Sequence, residues 1–186
     1  MIELVYETHS VSVDNERGIA TGWRPGELSA RGRVLARELG DRRLNDLIAA
    51  VFCSDLNRAV ETAEIAFAGS GIPVHEDPRL RECDYGELNG ALRERIEKTR
   101  LERIDRPFPG GESYLDVVKR TRDFLEDLLR HHAGFRVLVI AHSANRWALD
   151  HLLEGSPLAE LIAAPFDWRP GWEYVIDESK LDGTIL

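Results

Sequence analysis

Two histidines and an arginine stand at places in this 186-residue chain where an α/β protein can do chemistry. His9 follows the apolar run Leu4-Val5-Tyr6, within Thr8-His9-Ser10. His142 follows the run Val137 to Ala141 and precedes Ser143. Arg58 comes just after a third run, Leu47 to Ser54. An imidazole can attack, donate or accept near neutral pH, and a guanidinium offers a rigid fork of donors to an oxyanion. If the three runs are neighbouring strands, these side chains meet beyond the strands' carboxyl ends, where open α/β sheets bind ligands. Helix N-termini would point at the same place, and their unpaired N–H groups and dipole favour an anion. An arginine in a helix's first turn opposes that dipole, which argues for an anionic partner of Arg58.

The elements that must position these residues are legible as alternating strands and helices. Ile2 to Tyr6 is predicted as the first strand, followed by a polar loop to Glu27. Ser29 caps a helix to about Leu44 with Val34, Leu35 and Leu39 on one face. Leu47 to Ser54 is apolar throughout, as a strand covered on both faces requires. Asp55 is the expected cap of a helix from Leu56 to Phe67, and Ile72 to His75 is a short strand. An irregular loop over Arg79 to Gly90 leads into charged helical segments ending near Ile104. A long amphipathic helix follows from Glu112 to His132, with Leu115, Val118, Phe124, Leu125 and Leu128 in helical period. Arg136 to Ala141 is a buried strand, Ala144 to Leu153 a helix, and Gly171 to Ile176 an edge strand. The pattern predicts a three-layer α/β sandwich with a mainly parallel central sheet, as one domain over 1–186.

Composition narrows the function. The net charge of -9 argues against a nucleic-acid or anionic-membrane surface, so an anion site must be locally positive against the overall field. Two cysteines, Cys53 and Cys83, suit a reducing compartment. The sequence MIELVYETH lacks a basic, then long apolar, leader, so a cytoplasmic location is expected.

The ordered blocks of the chain resemble the histidine phosphatase superfamily, the phosphoglycerate mutase-like fold. That family opens with Arg-His-Gly at the first strand's end, then Thr or Ser, an Asn and Gly-Trp. Here these positions read Thr8-His9-Ser10, Ser12, Asn15 and Gly22-Trp23. Its Ser-Asp-Leu-x-Arg-Ala-x-x-Thr block is intact from Ser54 to Thr62, with Arg58 inside it. Leu80-Arg81-Glu82 with Tyr85-Gly86, then Pro109 to Ser113 before a long helix, match in order. The last block is His142-Ser143 where the family has His-Gly.

The resemblance implies a covalent mechanism with no metal or cofactor. His9 would attack phosphorus and become a phosphohistidine. Arg58 and His142 would hold the non-bridging oxygens, and Glu82 would protonate the leaving oxygen and then activate water. Glu82 is singled out by the resemblance alone, since its loop carries Arg79, Arg81 and Asp84 as well. Thr8, Ser10, Asn15, Ser143 and Arg146 are the expected substrate contacts, and 87–112 a lid-like insertion. Thr8 removes a guanidinium the family carries. A hydrogen bond to a charged group contributes about 1.5–3 kcal/mol, so generic activity would fall by about one to two orders of magnitude. Arg146, one helical turn beyond His142, is a candidate replacement, with Arg17 and Arg24 as others. The implied function is hydrolysis of a small phosphorylated metabolite by a monomer or homodimer. A mutase-type phosphotransferase and a weakly catalytic or non-catalytic phospho-ligand binder are the alternatives.

Other conspicuous residues have plainer readings. The segment Arg93 to Arg106 is expected to be a solvated helix with i,i+4 pairs more than a substrate-facing surface. His75, His131, His132 and His151 are assigned to the surface. Trp168 and Trp172 are assigned to packing of the closing strand, and Cys53 to the core.

Overall fold

The computed structural model describes residues 1–182. Five strands form the main sheet, and two short ones form a separate ladder. In chain order the strands are β1 (Ile2–Thr8), β2 (Ile19–Ala20), β3 (Ala50–Cys53), β4 (Val74–Glu76), β5 (Ala91–Leu92), β6 (Arg136–Ala141) and β7 (Trp172–Ile176). The helices are α1 (Val13–Glu16), α2 (Ala30–Arg43), α3 (Asn57–Ala66), α4 (Arg93–Thr99), α5 (Tyr114–His132), α6 (Ser143–Glu154), α7 (Leu158–Ala163) and α8 (Glu178–Asp182). The main sheet runs β4-β3-β6-β1-β7, parallel except for β7 at the edge.

Alternation along the strands builds two cores, one on each face of the sheet. Ile2, Leu4 and Tyr6 of β1 join Val137 and Val139 of β6 against α5 and α6. Val5, with Leu138 and Ile140, points the other way onto Leu39 of α2 and Ala59 and Ala63 of α3. This is the predicted three-layer α/β sandwich. The chain leaves β1 for β3 and β4, then returns to place β6 between β1 and β3. The carboxyl ends of β1, β6 and β3 therefore lie side by side, the arrangement that opens a ligand crevice.

Local differences from the sequence reading have identifiable causes. Val34 is 49% exposed, and α2 instead buries Gly32, Ala36, Leu39 and Gly40. Its two glycines let the helix touch backbone, since a Cβ on Gly32 would lie 1.9 Å from the Val11 carbonyl and one on Gly40 2.1 Å from that of Ala66. Leu47, at φ 54, belongs to the turn before β3. Asp55 does not cap α3, because its carboxylate is gripped by Arg81 at 2.6 and 2.7 Å. The cap position falls to Leu56, which has no side-chain acceptor to offer. The long helix starts one residue after Ser113, whose hydroxyl and the Asp116 carboxylate form a reciprocal capping box. The β2–β5 ladder and α7 have no counterpart in the sequence reading, being too short to show a period. Among the described residues no helix is long and apolar enough to cross a membrane.

Candidate active site

The parallel ladder between β1 and β6 runs on into the site. His9 N–H donates to the Ala141 carbonyl at 2.9 Å, and Ala141 is followed by His142, the N-cap residue of α6. The two imidazoles stand with ring centroids 5.0 Å apart. His9 Nδ1 lies 2.7 Å from the Ser10 carbonyl oxygen, which only accepts, so Nδ1 carries the proton and Nε2 keeps its lone pair. That lone pair receives Arg58 Nε–H at 3.3 Å.

Arg58 fixes the second histidine in the opposite sense. Its Nη2 donates to the Gly22 carbonyl at 2.9 Å and lies 3.3 Å from His142 Nδ1. Since a guanidinium has no acceptor, His142 Nδ1 accepts and Nε2 bears the proton. That His142 Nε2 and Arg58 Nη1 are both buried without a hydrogen-bond partner. Tyr6 donates its hydroxyl to the His142 carbonyl and holds the strand end from below. Burial, reinforced by the nearby Arg58 charge, keeps both histidines neutral: His9 is pulled down to about 3, and His142 well below the ordinary imidazole range. Arg58, 2% exposed, has no ion-pair partner among the described residues. A buried cation with a spare donor beside a second buried donor is a strong claim on an anion.

Glu82, the acid expected from the sequence, is buried beside this group. Its Oε1 accepts from Cys83 N–H at 2.8 Å and Ala144 N–H at 3.3 Å, the latter in the first turn of α6. Burial raises its carboxyl above the ordinary range, partly offset by the Cys83 N–H and by Arg58. Its backbone carbonyl accepts from Trp23 Nε1 (2.7 Å) and Arg120 Nη2 (3.0 Å). Asn145, fully buried, sets its side-chain amide against the carbonyls of Leu80 (3.0 Å) and Arg81 (3.2 Å); both only accept, so the amide nitrogen is assigned to that side, where it fixes the segment just before Glu82.

His9, Arg58, Glu82 and His142 line one cavity of about 690 Å³ together with Thr8, Ser10, Asn15 and Ser143. Within it, two expected substrate contacts are otherwise engaged. The Ser10 hydroxyl donates to the Gly32 carbonyl at 2.6 Å, while its N–H donates to Thr62 Oγ1 at 3.0 Å, so the residue orients His9 and offers no free hydroxyl. The Asn15 side-chain oxygen accepts from Ser12 N–H in the capping box of α1. Arg146 is not a cavity residue: it pairs with Asp150 at 2.5 Å and lies over the Trp172 ring, drawn toward β7. Arg17 and Arg24 are likewise outside the wall, which instead contains Arg31, Arg42, Arg93 and Arg100. Sequence reasoning missed these four as site residues, because a surface arginine and a cavity arginine look alike in one dimension. Arg93 and Arg100, with Ile96 and Glu97, put one face of the charged segment on the cavity, while Lys98 and Glu94 form the expected i,i+4 pair outside. Trp172 packs the closing strand, but Trp168 is 58% exposed and lines the cavity. Among the described residues no group of three or more His, Cys, Asp or Glu side chains is arranged to hold a metal ion.

The chain is similar to several known proteins. The chain is 35% identical over 170 residues to a 2,3-bisphosphoglycerate-dependent phosphoglycerate mutase of Gloeobacter violaceus, covering 82% of this chain and 77% of the relative. It is 30% identical over 169 residues to phosphoserine phosphatase 1 of Hydrogenobacter thermophilus, covering 86% and 80%. Among solved structures, Bacillus stearothermophilus YhfR superposes with a TM-score of 0.84 at 26% identity, covering 96% of this chain and 93% of that one. A mycobacterial glucosyl-3-phosphoglycerate phosphatase superposes at 0.78 and 27% identity, covering 88% and 87%. Residues 8–168 match the histidine phosphatase superfamily (branch 1), and the chain belongs to that family.

Proposed function

We propose that the protein is a metal-independent phosphoric monoester hydrolase acting on a small phosphorylated metabolite through phosphohistidine at His9. The observation that carries this reading is the pair of opposed tautomers around Arg58: a lone pair on His9 Nε2 beside two unpartnered buried donors, His142 Nε2 and Arg58 Nη1. In the first step His9 Nε2 bonds to phosphorus as the ester P–O bond breaks, and Glu82 gives its proton to the departing oxygen. Arg58 and His142 donate to the non-bridging oxygens, whose charge they offset in the transition state. In the second step Glu82 takes a proton from water, water oxygen bonds to phosphorus, and the P–N bond breaks to restore neutral His9. A neutral His9 suits the attack, and burial shifts the Glu82 carboxyl toward the proton-bearing form the first step needs.

The segment 87–112 serves as the lid of this single domain, with Arg93 and Arg100 facing substrate. Two free cysteines, both buried, favour a cytoplasmic setting, and nothing in the reading requires more than a monomer or homodimer. A phosphatase is preferred to a mutase for the compact stretch between Gly90 and Pro107. The mutase reading keeps support from relatives such as that of Gloeobacter violaceus. A phospho-ligand binder without turnover is the third reading, motivated by Thr8. Incubation with phosphate-labelled phosphomonoesters separates them. Hydrolysis predicts transient label at His9 and release of inorganic phosphate; transfer of the label to an added hydroxyl acceptor would identify a mutase. Ligand binding without label at His9 would leave the binder.

A further inference from the structure

The cavity extends past the four central residues in a direction the chemistry above does not use. Arg31, Leu35, Glu38 and Arg42 all line it from α2. Their spacing of four, three and four residues puts them on a single helical face. Phe166 and Trp168, from the segment between α7 and β7, line it as well. The two walls are fixed to each other at one end. Arg43 donates to Glu7 at 2.8 and 3.0 Å and to the Pro170 carbonyl at 3.1 Å, joining α2, β1 and the tryptophan-bearing segment.

The charges that line this lobe cancel, Arg31 and Arg42 against Glu7 and Glu38. Arg42 lies 3.4 Å from both oxygens of Glu7, and Arg31 and Glu38 make no hydrogen bond or ion pair among the described residues. A second anionic group would meet Glu38 as well as Arg31. A wholly apolar group would strip water from both ions with nothing in return. Hydroxyl groups satisfy both, accepting from a guanidinium and donating to a carboxylate. Trp168 and Leu35 supply flat, apolar surface beside them. Resting on the phosphomonoester reading above, we propose that this lobe is a leaving-group subsite for a neutral ring bearing hydroxyl groups, with Glu38 and Trp168 as its specificity-determining residues. A sugar ring and the ribose of a nucleoside share that chemistry.

Equilibrium binding to the His9→Ala protein tests the subsite without requiring turnover. Titration calorimetry would compare glucose 6-phosphate and AMP with 3-phosphoglycerate, which carries a second anion and no ring. Adding Glu38→Ala should weaken a ring-bearing ligand about 10- to 100-fold, as loss of a hydrogen bond to a charged group does. Adding Trp168→Ala should weaken it about tenfold or less. Both should change 3-phosphoglycerate less than about twofold. A response confined to glucose 6-phosphate assigns the lobe to a glycosyl group, and one confined to AMP assigns it to a nucleoside. Equal losses for all three ligands, no loss for any, or no binding of either ring-bearing ligand would overturn the proposal. Failure of the wild-type protein to acquire label at His9 counts against the phosphatase reading and leaves the binding comparison to decide the lobe.

Discussion

His9 and His142 are chemically the same side chain at the same kind of place, a parallel strand's carboxyl end, and they touch the same arginine. Their tautomers are nevertheless opposite. A carbonyl on one side of His9 takes its proton to Nδ1 and leaves Nε2 a base, whereas Arg58 takes the Nδ1 lone pair of His142 and leaves Nε2 a donor. Partners, not residue type, divide the attacking role proposed for His9 from the stabilising one proposed for His142. The division persists across the working pH range because burial keeps both rings from becoming cations.

Substitutions that remove one ring at a time break the comparison most severely. His9→Ala should abolish labelling and reduce phosphate release by about 10⁴- to 10⁶-fold, as loss of a nucleophile does. His142→Ala should cost about 10²- to 10³-fold and still label His9, as removal of one oxyanion donor does; rapid-quench trapping with labelled substrate distinguishes the two. Glu82→Gln should cost about 10²- to 10⁴-fold and flatten the alkaline limb of the kcat profile. The sign follows from the role: the protonated carboxyl is the active form, so wild-type activity falls as pH rises through its elevated value.

A smaller effect lies in stability. Below the ordinary imidazole value of about 6.5 the unfolded chain binds protons that the folded chain refuses, so folding stability is full above it and declines as pH falls toward 3. For one such histidine the loss between pH 7 and 5 is about 2 kcal/mol. Thermal denaturation should show a Tm falling over that interval, with a shallower slope for His9→Ala. Thr8→Arg is the mildest change. By adding a cation on the cavity wall next to His9, it should raise kcat/KM for unspecific phosphomonoesters about tenfold. A decrease confined to one substrate would instead make Thr8 part of that substrate's recognition.

The mainly parallel sheet was readable because β1, β3 and β6 carry apolar runs that suit a doubly covered strand, whereas their adjacency, on which convergence at the carboxyl edge depends, came only with the structure. His9, Arg58 and His142 were readable from their positions at the ends of those runs, and Glu82 only through the family's block order. Arg146 misled because one turn of helix specifies direction only to within a face. Asp150 and the Trp172 ring, both unknowable as neighbours from spacing, draw its guanidinium away. Trp168 misled for the converse reason: its neighbour Trp172 packs into the core at β7, and no periodicity in an irregular segment separates the two. Asn145 and Arg120 left no signal at all, since the contacts by which they hold the Glu82 segment are to backbone carbonyls thirty or more residues distant, although Arg120 also pairs with Glu112.

The Ser10 carbonyl has a consequence beyond orienting a ring. If Nε2 bonds to phosphorus as proposed, retention of the Nδ1 proton by this carbonyl would leave the phosphorylated imidazole as a cation. A cationic phosphoramidate expels a neutral amine, one of the easier departures in phosphorus chemistry, and the adjacent Arg58 charge pushes in the same direction. On the mechanism proposed above, the contact that prepares His9 to attack also prepares it to leave, and a covalent species formed there would be short-lived.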